Sequence, residues 1–355
     1  MYTKTALTFG LFLLLAACES GAKKTLPREV IPPVEQTTPS PKDSFETGKV
    51  IPAVALQNSP ADSFALYLPE GYTPGKKYPV ILFFDPQGAG VYPVTLYQKL
   101  AEGYQVILAG SNSSKNGLPF EHLQTMALQL LQDITERLSV DETKIAFCGH
   151  SGGAKVALIS GANLAQVSTI IYTGAVAQIN PTHPFTLIGF GGTKDMNYTD
   201  LVSFEWSLAK SNLPHYFFEW NGAHEFPKAE VFKNALELML HGTNAKIDRL
   251  NISITPEKVT AEQQYKEKYM QAFQVQDLNW WKKEVALLNS KKKSDPMYER
   301  LLGFISLACY SLTTRSLQQY DLITAEKMIA LYKLADPLNK AIPDLEAELR
   351  KKKGN

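Results

Sequence analysis

Three residues in the middle of the 355-residue chain could together make a reactive nucleophile: Ser151, Asp195 and His224. A serine hydroxyl attacks poorly until an imidazole takes its proton. The imidazole does this best when a carboxylate fixes its tautomer and stabilises the imidazolium. Ser151 lies in Gly149-His150-Ser151-Gly152-Gly153, between the apolar run Ile145-Ala146-Phe147-Cys148 and the helical Ala154-Lys155-Val156-Ala157-Leu158. This is G-x-S-x-G in its strand–turn–helix context. Such a turn is strained, so the residues two positions either side of the serine must lack side chains. It also brings the amide of the following residue, Gly152, to a helix N-terminus where an oxyanion would develop. Asp195 follows the run Thr186-Leu187-Ile188-Gly189-Phe190, 44 residues after Ser151, and His224 follows Tyr216–Trp220, 29 residues after Asp195. Asp200 is farther from its strand end and reads as a helix-start residue, and His150 as a ring packed beside the turn. His122, His183, His215 and His241 show no metal-ligand spacing, so neither a metal nor a cofactor is expected.

Stepping outward, these residues need strands that end near one another. Apolar runs at 49–56, 63–68, 78–84, 104–109, 144–148, 168–172, 185–190 and 215–220 alternate with helical spacing at 96–101, 120–138, 152–162, 201–210 and 229–240. That alternation predicts an α/β fold with a mostly parallel sheet, whose ligands bind at the C-terminal strand ends. The first two runs, separated only by a turn, read as an antiparallel hairpin at one edge. Val80-Ile81-Leu82-Phe83-Phe84 has the continuous apolar character of a strand buried on both faces.

With these residues in place, the chain resembles an α/β-hydrolase-fold serine hydrolase over about residues 48–243. It is similar to small esterases of the polyhydroxybutyrate-depolymerase and feruloyl-esterase-like branch, including the Val140-Asp141-Glu142-Thr143-Lys144-Ile145 lead-in to the serine. It is also similar to prolyl-oligopeptidase catalytic domains, without their propeller. The resemblance implies the triad order Ser151, Asp195, His224 and an acyl-enzyme on Ser151. It further implies an oxyanion site made by the backbone N–H of Gly152 and a second donor after the third strand. Here that loop is Asp85-Pro86-Gln87-Gly88-Ala89-Gly90 in place of a lipase-type His-Gly-Gly-Gly. Proline has no N–H, so Gln87 is the expected donor and Gly88 the alternative. The polar Ser111–Gly117 loop offers Asn112 and Ser113 as substrate contacts. Only about ten residues, Ala175–Pro184, separate the sixth and seventh runs, so no large lid is expected over the cleft. The expected reaction is hydrolysis of a small or oligomeric ester. Peptidase or thioesterase chemistry by the same triad is one alternative, and a non-catalytic binding or scaffold lipoprotein is the other.

The ends of the chain are unlike its middle. Lys4, then the apolar Ala6–Ala17, make a signal-peptide core too short to span a bilayer. It ends in Leu15-Ala16-Ala17-Cys18, which resembles the lipobox of bacterial lipoproteins. Residues 1–17 are therefore expected to be a signal peptide, Cys18 the lipidated residue, and 18–47, with prolines at 27, 32, 33, 39 and 41, a disordered tether reaching roughly 80 Å. The expected location is the bacterial cell envelope, lipid-anchored on its periplasmic or its surface-exposed side, with the outer membrane favoured. Cys148 and Cys309 read as small buried hydrophobes rather than a disulfide. Residues 1–243 hold 17 Lys and Arg against 21 Asp and Glu, net −4, whereas 244–355 hold 19 against 14, net +5. The overall +1 argues against a nucleic-acid binder. Region 244–355 is expected to be all helical, about four helices between 260 and 352, forming a plain bundle packed on the hydrolase and offering a surface for a protein partner. The alternative is a tetratricopeptide-like arrangement, since Ala325–Ala347 with Asp336-Pro337 resembles one such hairpin. Thr260-Ala261-Glu262-Gln263 has capping-box spacing, and Asp295-Pro296 offers a second helix start.

Overall fold

A computed structural model describes residues 44–247 and 252–354. The signal segment, Cys18 and most of the expected tether lie outside the described residues. The described chain falls into two compact units. One runs from residue 44 to Gln274 and includes Leu287–Gly303; the other comprises Val275–Ala286 and residues 304–354.

The first unit is built on an eight-stranded sheet: β1 (Val50–Ala55), β2 (Ser63–Tyr67), β3 (Tyr78–Phe84), β4 (Ile107–Ser111), β5 (Val140–His150), β6 (Thr169–Thr173), β7 (Thr186–Gly192) and β8 (His215–Trp220). The spatial order is β1-β2-β4-β3-β5-β6-β7-β8. β1 and β2 form the expected antiparallel edge hairpin, β2 pairs antiparallel with β4, and all remaining pairs are parallel. The crossovers are α1 (Val91–Tyr104), α2 (Phe120–Arg137), α3 (Gly152–Gly161) and α4 (Tyr198–Leu208), and α5 (Ala229–His241) follows β8.

The alternation of side chains along β3 explains why both faces need helices. Val80, Leu82 and Phe84 join one core with Leu123, Met126 and Leu130 of α2 and Ala154 and Ala157 of α3. Ile81 and Phe83 join the other, with Val94, Tyr97 and Ala101 of α1 and Phe232 and Leu236 of α5. Tyr97 and Phe232 stack there at 3.8 Å between ring centroids.

Among the described residues five helices follow, where about four were expected: α6 (Pro256–Val275), α7 (Leu278–Lys291), α8 (Pro296–Gln318), α9 (Leu322–Ala335) and α10 (Ala341–Lys353). α6 starts at Pro256, so Thr260 is not its cap; the Thr260 hydroxyl instead donates to the Pro256 carbonyl at 2.9 Å inside the helix. Asp295 does cap α8, accepting from the Met297 N–H at 2.8 Å, with Pro296 as the first helical residue. The expected boundary at residue 243 marks the end of the sheet's last flanking helix, but α6 through Gln274 and the segment Leu287–Gly303 fall in the same compact unit as the sheet. In the second unit, α9 and α10 form a helical hairpin with Lys333–Glu346 and Lys353–Glu326 ion pairs. Cys148 and Cys309 are both buried free thiols. Among the described residues, no helix is long and apolar enough to cross a membrane.

Candidate active site

β5 delivers its last residue, His150, directly to the turn. Ser151 sits at φ +52°, ψ −120°, a left-handed conformation that a side-chain-bearing residue adopts only under constraint. Two contacts supply the constraint. The Ser151 N–H donates to the Thr173 carbonyl at the end of β6 (2.9 Å), and α3 starts at once, with the Ala154 N–H donating to the Ser151 carbonyl (3.0 Å). The flanking glycines are required by packing: a Cβ on Gly149 would come 2.1 Å from the Gly153 carbonyl oxygen, and one on Gly153 would come 1.9 Å from that of Phe84. Gly152, as the first helical residue, has an N–H with no acceptor within α3.

The structure brings Ser151, Asp195 and His224 together. Ser151 Oγ lies 3.0 Å from His224 Nε2, and His224 Nδ1 lies 2.9 Å from Asp195 Oδ1. Asp195 is only 1% exposed; its Oδ1 also accepts from the Asn197 N–H at 2.8 Å. The loop after β7 is pinned to the neighbouring strands. The Thr193 N–H donates to the Trp220 carbonyl and the Lys194 N–H to that of Gly222, both at 2.9 Å. The Asn197 side chain donates to the Gly174 carbonyl at 2.7 Å. Three strand ends, β5, β7 and β8, thus converge on one hydrogen-bonded line.

His150 packs beside the turn as expected, its ring 4.5 Å from that of His224 and 5.2 Å from that of Phe226. Burial, with a smaller contribution from the adjacent His224, pushes its pKa down to about 3, so its ring is neutral beside His224. Asp200 lies in the first turn of α4.

The other expected site residues are placed differently. The Gln87 N–H donates to Asp85 Oδ1 at 2.8 Å, the Ala89 N–H reaches the same oxygen at 3.2 Å, and the Gly88 N–H donates to the Asp85 carbonyl. The Asp85 carboxylate closes an Asx turn on its own loop, so the expected second donor and its alternative are both engaged. Asn112 and Ser113 face the edge hairpin instead of the triad. Asn112 Nδ2 donates to the Pro52 carbonyl (2.9 Å) and Ser63 Oγ (3.2 Å), and Ser113 Oγ accepts from the Ser63 N–H (3.3 Å). They tie the loop after β4 to both strands of the edge hairpin, β1 and β2.

Asn116, marked in the sequence only as part of the polar Ser111–Gly117 loop, is the residue of that loop that reaches the elbow. Its N–H donates to the Pro86 carbonyl at 2.8 Å, and Gln87 and Lys115 form an isolated bridge beside it. Its carboxamide lies so close to Gly152 that a Cβ there would sit 1.8 Å from Asn116 Oδ1. The β6–β7 connection, residues 174–185, contains no helix, so no lid is inserted there. Among the described residues, no group of three or more His, Cys, Asp or Glu could hold a metal ion.

The strand order, the antiparallel β2 and the serine on a strand-to-helix elbow define the α/β-hydrolase fold. No protein-family model and no curated protein matches the chain. Among solved structures it is similar to a hyperthermophilic esterase from Pyrobaculum calidifontis: 12% identity, 51% of this chain and 79% of that one, TM-score 0.41. It is also similar to the fluorophosphonate-binding serine hydrolase FphF of Staphylococcus aureus, with 13% identity, 55% and 99% coverage and TM-score 0.44. Esterase 2 of Thermogutta terrifontis is similar at 13% identity, 56% and 96% coverage and TM-score 0.41.

Proposed function

We propose that the chain is a serine hydrolase that cleaves carboxylic esters through an acyl-enzyme on Ser151. The observation that carries this reading is the continuous line Asp195–His224–Ser151, closed at 2.9 and 3.0 Å with the serine on its elbow. In the resting state the Ser151 hydroxyl donates to His224 Nε2, and His224 Nδ1–H donates to Asp195. Attack forms the bond from Ser151 Oγ to the acyl carbon as the proton passes to Nε2, and the carbonyl electron pair moves to oxygen, facing the Gly152 N–H. Collapse expels the alcohol, which leaves with the proton from His224. Water then repeats the cycle on the acyl-enzyme, with His224 as base.

Asp195 does not itself take the proton; buried and doubly hydrogen-bonded at Oδ1, it stabilises the imidazolium. The open β6–β7 connection supports a soluble or surface-displayed ester over one drawn from a lipid phase. Ser151→Ala should lower turnover of an activated ester by roughly 10⁴–10⁶-fold. An unchanged rate would sink the reading, and a panel of esters, thioesters and peptides then assigns the acyl class.

We infer also that the chain is held at the cell envelope by a lipid on Cys18, the reading that Leu15-Ala16-Ala17-Cys18 supports. Cys18→Ser should move the protein from the membrane to the soluble fraction. Retention of the variant in the membrane fraction would contradict the anchor.

A further inference from the structure

Glu262, Lys266 and Arg300 are 0, 1 and 4% exposed, a depth at which charged side chains occur only when paired. Arg300 grips Glu262 through Nε (3.0 Å) and Nη2 (2.6 Å), and Lys266 Nζ lies 3.7 Å from the same carboxylate. Taking such charges out of water offsets most of their attraction, so a buried ion pair is seldom placed for stability alone. What the two cations do besides pairing gives the clue. Arg300 Nη1 donates to the Thr193 carbonyl at 2.6 Å, and Lys266 Nζ donates to the Met196 carbonyl at 2.7 Å and to Thr199 Oγ1 at 3.0 Å.

Thr193 and Met196 bracket Asp195. The loop's amides are already bound to strand ends at Gly192, Trp220 and Gly222, so amides and carbonyls are held from opposite sides. The Arg300 guanidinium also sits 5.0 Å over the ring of Tyr198, the first residue of α4. Glu262 fixes both cations with a single carboxylate.

We propose that Glu262, Lys266 and Arg300 form a clamp that positions the Asp195 loop so that the carboxylate meets His224. The catalytic unit therefore includes α6 and the first turns of α8 instead of ending at α5. The clamp rests on the reading of Ser151, Asp195 and His224 as a working triad. All three are positioning residues: each acts through the loop that carries Asp195.

The test is a double-mutant cycle on the full-length chain. Arg300→Lys keeps a cation opposite Glu262 but loses the planar fork that also reaches Thr193, and Lys266→Gln serves in the same cycle if Arg300→Lys does not fold. Each is measured alone and in an Asp195→Ala background. In the native background kcat for an activated ester should fall about 10- to 100-fold with KM within about threefold, the size of effect expected from a small displacement of a catalytic group. In the Asp195→Ala background the same substitution should change the residual rate by less than about threefold. Equal losses in both backgrounds, or no loss in the native one, would overturn the clamp.

A second readout needs no substrate. The low-field proton resonance of the His224–Asp195 hydrogen bond should be present in Ser151→Ala and displaced or lost in Arg300→Lys. If a fluorophosphonate fails to label Ser151 in the native chain, the hydrolase reading falls. The resonance still decides the clamp, which is wrong if Arg300→Lys leaves it unmoved.

Discussion

Asp85 decides what the loop after β3 can offer an incoming acyl group. By accepting from both Gln87 and Ala89, its carboxylate turns those amides inward. A polar group that does lie beside Gly152 is the Asn116 carboxamide, and a half-turn about its last torsion presents Nδ2 in place of Oδ1. Asn116→Ala should therefore lower kcat by about 10²-fold with little change in KM, the magnitude typical of losing one donor to an oxyanion. Gln87→Ala, which keeps its backbone N–H, should leave kcat within about threefold. Steady-state kinetics on one activated ester checks both, and an active Asn116→Ala would return the role to the loop after β3. Ser151, Asp195 and His224 were legible in the sequence because each follows an apolar run that ends at the same edge of the sheet. The Asp85 turn was not legible in a loop read only for its oxyanion donors, since which amide a carboxylate captures depends on loop geometry that residue types do not set. Arg300 was not legible at all. It lies 107 residues from Thr193, and nothing in a helical, basic stretch marks one arginine as buried.

At the scale of elements, the sheet was read correctly where burial on both faces leaves a continuous apolar run, as in β3. The errors fall at ends, where packing overrides pattern. β5 begins at Val140, four residues before the apolar run, because Tyr78 pairs with Val140 ahead of a register shift and the polar Asp141-Glu142-Thr143 is carried along. α1 begins at Val91, five residues before its apolar run, with Pro93 tolerated because the first turn of a helix has amides without partners in any case. It ends where Gln105 adopts φ +55°, so the run read as starting at Tyr104 becomes a strand only from Ile107. α6 begins four residues before Thr260, since Pro256 is already shaped for a first turn. That early start extends α6 by one turn ahead of Glu262 and Lys266, the two clamp residues it contributes.

For the molecule as a whole, the change of charge near residue 243 is not a change of structural unit, because the cations of 256–274 and 287–303 belong with the sheet. The same unit carries a pH dependence through His150. His150 is 7% exposed, its ring packed at a tilt against those of His224 and Phe226 and close to Gly174, whose added Cβ would meet His150 Cε1 at 2.6 Å. Its folded pKa is about 3, against 6.5 for a free histidine. The unfolded chain therefore takes up a proton as pH falls through 6.5 while the folded chain does not. Stability is full above that value and is lost progressively as pH falls toward 3. By linkage the loss reaches about 3 kcal/mol at pH 4. His150→Phe keeps an aromatic ring in the same slot without a group to protonate. Its unfolding free energy, followed by denaturant titration between pH 7 and 4, should fall less steeply than that of the native chain by about this amount. Comparing the two slopes removes the contribution of groups that the substitution leaves in the same surroundings. Parallel profiles would mean that the ring gains its proton while folded, and that the space between His224 and Phe226 accepts a charge.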